Sequence, residues 1–304
     1  MKKIGLGAAL GLMSVVGFAQ AQTAPEGGAT LVPAGFVKDT GSAERIAVAD
    51  ALRRITQEIP AAVCHVQNGV ERPLAAEMAQ HGLDQFNLLT TALLEGDDKR
   101  GIIGAEEDRR TRQAIADLEA AWTPWRAAVE KALADPADSA AATLVYTSAA
   151  ALYDQTVEVL DDIKSTHIMP SQILFADAMM IDVAGTQAIL AQKMSWLACL
   201  HWSGASDEAE ALAAARAQYE FGFRALLNGE PALGITPPPT EEIANALSAA
   251  IPLFEANLAA IDQLLAGEAV GPEEAAALYR RLSEKMLAAE EIATLYAQHA
   301  KRIF

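Results

Sequence analysis

The chain has 304 residues, 40 of them acidic against 23 basic, for a formal charge of −17. That excess argues against nucleic acid or an anionic bilayer as partner, since both are polyanionic. Aromatic residues make up 6% and there are two cysteines, too few for a disulfide-built scaffold, while Ala, Leu, Glu, Gln and Arg fill the long segments and favour helix.

Residues 1–21 read as a secretory signal peptide. Lys2 and Lys3 give the positive start, residues 4–18 an apolar run, and Ala19-Gln20-Ala21 a small-x-small cleavage site. The run is too short for a membrane anchor, and no later window holds eighteen continuous apolar residues. A soluble periplasmic chain with no membrane span is expected, with residues 22–41 a flexible leader rich in Pro, Gly, Thr and Ala.

Ser42, Glu44 and Arg45 open a first helix with an apolar stripe through Ile46, Ala49, Leu52, Ile55, Ile59 and Val63. Pro60 inside it predicts a kink, because proline removes a backbone donor and crowds the preceding turn. A second helix is expected over 74–94, stopping at Gly96. A third is expected over 106–133 with Ile115, Leu118, Trp122, Trp125 and Val129 on one face, and a fourth after Pro136. The helical pattern resumes just beyond Pro170, so one helix through 162–179 is expected to carry the first half into the second. Further helices are expected over 207–227, 241–265 and 273–303.

The two halves match internally. Residues 47–64 align with 182–199 at an offset of 135, placing Gln57 on Gln192 and Cys64 on Cys199. Phe86, Leu94 and Gly96 align with Tyr219, Leu227 and Gly229 at 133. Thr111, Leu118 and Trp125 align with Thr240, Leu247 and Phe254 at 129. Helices of this length with apolar stripes and short links bury those stripes most simply as antiparallel bundles. The expected architecture is all-α, two tandem four-helix bundles over 42–170 and 171–304.

Asp182-Val-Ala-Gly185, followed by Gln187, Leu190, Gln192, Lys193 and Met194, resembles the signature of the type IV pilus methyl-accepting chemotaxis transducer N-terminal domain, the PilJ-like family. It is also similar to the periplasmic module of nitrate/nitrite sensor kinases. The second copy keeps Ala184, Gly185, Gln192 and Lys193 but has Asp182, Ala188 and Ile189 where the pattern has Asn, Arg and Met. The first keeps Ala49, Arg53 and Gln57 but has Asp50 for Gly and Glu58 for the second basic residue. The resemblance implies a helical sensor, binding an anion such as nitrate or a carboxylate across a dimer interface. Each copy retains one of the two basic positions, Arg53 and Lys193. No kinase or methyl-accepting segment is present, so sensing would run through a separate protein partner.

Arg53 and Gln57 are four apart and share a face, and the guanidinium fork suits a planar oxyanion. Arg53, Gln57, Gln192 and Lys193 are the candidate ligand residues, converging if the units stack or the chain forms a homodimer. The competing role for Arg53 is a salt bridge at a surface or interface. Cys64 and Cys199 either bridge, which needs Cα atoms within about 7 Å, or remain separate buried thiols, as end-to-end bundles would require. His65, His167 and His201 lack metal-ligand spacing and read as surface or bundle-edge residues, so no metal or cofactor is expected. Glu106 and Glu107 read as helix-start or solvated-face charge. Nothing resembles a nucleophile constellation, so no enzyme is expected. The alternative function is a scaffold of a periplasmic complex with no ligand.

Overall fold

A computed structural model of the chain describes residues 40–168 and 173–301. The expected signal peptide and nearly all of the expected leader lie outside them. Helices α1 (Ser42–Gln67), α2 (Arg72–Glu95), α3 (Arg109–Ala134) and α4 (Ser139–His167) are followed by α5 (Phe175–Ser203) and α6 (Ala209–Asn228). Then come α7 (Glu241–Ala249), α8 (Ile251–Leu265) and α9 (Pro272–Lys301). The described residues contain no β-strand, and the fold is an all-α bundle.

Local chemistry sets several boundaries. The Asp108 carboxylate accepts from the N–H groups of Arg110 and Thr111 to start α3, and Asp138 accepts from Ala141 to start α4. Pro60 does not end α1, which runs unbroken through it. Two expected helices are divided. The one sought through 162–179 ends at His167, with Ile168 extended, and helix resumes at Phe175; Pro170 falls in that interval of the sequence. The expected helix over 241–265 breaks at Ala250 because Pro252 has no N–H to continue it, and α8 restarts with Pro in its first turn. Glu241–Leu265 is long and apolar enough to cross a membrane by length and composition alone. Here Ile243, Leu247, Phe254, Leu258 and Ile261 are buried in the core.

Helix α1 packs against α2, α4 and α5, and α3 against α4. Helix α5 packs against α6 and α9, and α9 also meets α7 and α8. Both α1 and α5 are buried along almost their whole length, as helices enclosed on several sides must be. The flanking cores correspond. Phe86 stacks on Trp122 with ring centroids 3.7 Å apart, and Trp125 donates to the Val145 carbonyl at 3.0 Å. In the other half Phe223 stacks on Phe254 at 4.3 Å, beside Tyr219. Even the loops agree. Gly96 and Gly229 both take positive φ, and each precedes a two-bond bridge, Asp97 with Ile102 and Glu230 with Ile235, offset by 133 residues.

Helices α1 and α5 lie side by side and in register. Cys64 is disulfide-bonded to Cys199, with Cα atoms 6.2 Å apart and a sequence separation of 135. At the same offset Asp50 faces Gly185, where a Cβ would sit 2.7 Å from Asp50 Oδ2. The cysteines are therefore bridged: lateral pairing of the two first helices brings together residues that end-to-end bundles would separate.

Candidate functional site at the α1–α5 seam

Between Asp50 and Glu58, helix α1 carries Asp50, Arg53, Arg54, Thr56, Gln57 and Glu58, and every one is buried. Charge in a bundle interior is costly unless paired and hydrogen-bonded, so this run defines the region where the fold gives up packing for chemistry. Its partners come from α4, α5 and α9.

Arg53 is the centre of the first group. Its Nη1 donates to Asp50 Oδ1 at 2.7 Å and to Asp182 Oδ1 at 3.0 Å, and its Nη2 donates to the Tyr153 hydroxyl at 3.0 Å. Lys164 on α4 holds the other oxygen of Asp182 at 2.7 Å. Burial acts to lower the Arg53 pKa, but Asp50, Tyr153 and Asp182 outweigh it and keep the guanidinium firmly charged. Asp50 behaves differently. Burial pushes its carboxyl up to about 7, Asp182 adds to the rise, and Arg53 only partly opposes it. Its Oδ2 has no hydrogen-bond partner.

Arg54 anchors a second group. It is ion-paired with Glu58 one turn along and with Glu290 of α9, and its Nη1 lies 3.6 Å from Met286 Sδ. Two spaces meet at this pair. A cavity of about 250 Å³ is lined by Asp50, Arg54, Gly185 and Glu290 with small apolar neighbours. A groove of about 750 Å³ between α2 and α9 shares Arg54 and Glu290 and adds Glu58, Glu77, Asp84, Glu284, His81 and Arg280.

The sequence candidates are distributed unevenly. Arg53 sits in the charged cluster, neutralised by two carboxylates. Gln57 and Gln192 take equivalent buried positions on α1 and α5, each with its Oε1 unpartnered, and Gln192 Nε2 donates to Met286 Sδ at 3.2 Å. Lys193 is half-buried and joins no ion pair among the described residues; in the internal alignment it pairs with Glu58, not Arg53. The seam thus gathers Arg53, Gln57 and Gln192 on paired helices, while Lys193 stays apart from the Arg53 cluster. Arg54 carries no signal in the sequence, Asp182 is visible there only as a departure from the family's Asn, and Glu290 reads there as helix-start or solvated-face charge, because only the fold supplies their partners.

Two other residues are corrected. Glu106 is not solvated helix-start charge: it is buried, ion-paired with Arg45 at 3.4 Å, and 2.7 Å from His167 Nε2. Burial opposes its ionisation, but His167, the Asp108 N–H and Arg45 together lower its pKa. Nor is His65 at an edge. It stacks on Tyr279 at 3.9 Å, and burial drives its pKa down to about 3, so the ring is neutral.

Residues 172–294 match a family model, PilJ, described as the N-terminal domain of type IV pili methyl-accepting chemotaxis transducers. Over these residues the chain is similar to that domain. The match spans all of α5 and most of α9, so Asp182, Gly185 and Glu290 lie within it, while Asp50, Arg53 and Arg54 face it from α1. No curated protein matches the chain, and no solved structure does.

Proposed function

We propose that the chain is an exported sensor module that binds a small ligand at the α1–α5 seam and passes the change to a separate protein partner. The observation that carries this reading is the buried charged run of α1 set against the transducer-type helix α5, beside a cavity of small-molecule size. We read the two halves as tandem PilJ-like copies; the offset of 135 at the seam and the recurring glycine-bridge loops support this. The disulfide supports export, because such bridges persist in oxidising compartments. A ligand changing the Asp50–Arg53–Asp182 balance would alter the spacing of α1, α5 and α9, and packed helices answer such a change by discrete shifts.

The family resemblance points to nitrate or a carboxylate at Arg53. Such an anion has to displace Asp50 or Asp182 from the guanidinium, a step that protonation of Asp50 assists. The scaffold reading draws on a different surface, the α2–α9 groove with exposed Leu287 on its wall. Calorimetric titration of the purified chain with nitrate, nitrite, small carboxylates and small amines tests the sensor reading. Binding that changes when Arg53 is replaced supports it; no heat with any of them refutes it and favours the scaffold.

A further inference from the structure

Resting on the sensor reading, we propose that the cavity between α1, α5 and α9 takes a small organic cation, a primary ammonium on a short aliphatic body, held by Asp50 and Glu290.

Charge balance is the first argument. Four carboxylates converge here, Asp50, Glu58, Asp182 and Glu290, against three cations, Arg53, Arg54 and Lys164. The unmatched negative charge lies in the Arg54 group, where Glu58 and Glu290 share one arginine; beside it Asp50 Oδ1 holds Arg53 while Oδ2 has no partner, though the residue is only 5% exposed. A buried carboxylate oxygen without a donor is costly, and a cation supplies what is missing. Burial first, and Asp182 second, raise the Asp50 pKa to about 7.

Space is the second. Gly185 stands opposite Asp50, and any side chain there would press on Oδ2. Ala47, Ala51, Ala188 and Ala293 line the cavity, so its walls are short and apolar, suited to a few methylenes and too confined for a large head group. The approach is the third. The adjoining groove carries Glu58, Glu77, Asp84, Glu284 and Glu290 against Arg54, Arg280 and His81, an acidic forecourt that attracts cations. The Arg54–Glu290 ion pair stands between groove and cavity, and Glu290 can release Arg54 because Glu58 still holds it.

Binding should strengthen with pH through 7 as Asp50 ionises. The groups acting on it are Arg53 of α1, Lys164 of α4 and Asp182 of α5; Arg54 of α1 and Glu290 of α9 share its cavity, and Tyr153 of α4 holds Arg53.

The test is calorimetric titration of the full chain at pH 8 and pH 6 with n-butylammonium, L-alanine, propionate and nitrate, on wild type, D50N and E290Q. The expected result is n-butylammonium binding at pH 8 that weakens about tenfold at pH 6 and at least tenfold in each variant. Alanine binding as well would make the ligand an amino acid; n-butylammonium alone would make it a simple amine. Binding of nitrate or propionate without either amine overturns the cation while leaving the sensor intact. Amine binding unchanged in both variants overturns the site. No binding by any probe overturns both this inference and the sensor reading.

Discussion

Replacing Arg53 with Met removes the one cation shared by Asp50 and Asp182 while keeping an unbranched side chain of similar length. Breaking a buried ion pair from one side costs about 3–5 kcal/mol, because the remaining charge is left uncompensated. Two features of the seam place this case at the lower end. Asp182 retains Lys164 at 2.7 Å and is 20% exposed, and Asp50 relieves its own penalty by taking a proton near neutral pH. A loss of about 3 kcal/mol corresponds to a fall in Tm of about 6 °C for a chain of this size. Adding Asp50→Leu to Arg53→Met removes the stranded carboxylate as well and should recover at least half the loss. Urea denaturation and calorimetry of the four members of this cycle measure it. If Arg53→Met melts within about 1 °C of wild type, or the double variant is no more stable than the single, the ion-pair account of the seam is wrong.

Three further outcomes follow from the same geometry. Unfolding the unreduced protein should expose no thiol at Cys64 or Cys199, and reduction should cost up to about 5 kcal/mol, the chain-entropy value for a loop of this length; denaturation midpoints with and without reductant measure it. The folded-state pKa of Asp50 lies above its unfolded value, so the folded state binds the extra proton between roughly pH 4 and 7 and stability falls as pH rises through that window, by at most about 4 kcal/mol. Comparing wild type with Asp50→Asn across that range isolates this contribution, which vanishes in the variant. Gly185→Ala puts a Cβ 2.7 Å from Asp50 Oδ2 and should destabilise by about 1–3 kcal/mol, and Asp50→Gly in the same chain should restore most of it.

Much of the helical order was legible because apolar period, Gly stops and Asp caps are local signals. Pro252 divided a helix for a local reason too, one available from its missing N–H. The lateral pairing of α1 with α5 was not legible, since a stripe states which face is buried and not which helix covers it. The two internally aligned segments, 47–64 and 182–199, held a clue. Where the pattern has Gly at both positions, this chain has Asp50 on α1 and Gly185 on α5. Arg53 and Arg54 likewise stand against Ala188 and Ile189 in the alignment. Read in either segment alone, those are simply departures from the pattern. Set across an in-register seam, Asp50 against Gly185 is a large-to-small complement, and α1 carries both arginines while α5 supplies Asp182. Glu106, His65 and the buried Lys285 escaped detection for another reason. Polar residues are usually exposed, and only the fold supplies their companions: Arg45 with His167, Tyr279, and the Phe223 ring 3.7 Å from Lys285 Nζ.

Hydrogen exchange tests most directly whether the seam is where ligand acts. Amides of the full chain would be followed alone and with saturating n-butylammonium, acetate or nitrate in separate runs. The account predicts that at least one probe slows exchange in the segments around 47–54, 181–188 and 290–294, with α3 and α7 unchanged. Exchange unaltered by all three, or altered only in α2 and the outer face of α9, would contradict a ligand-sensing seam between α1 and α5.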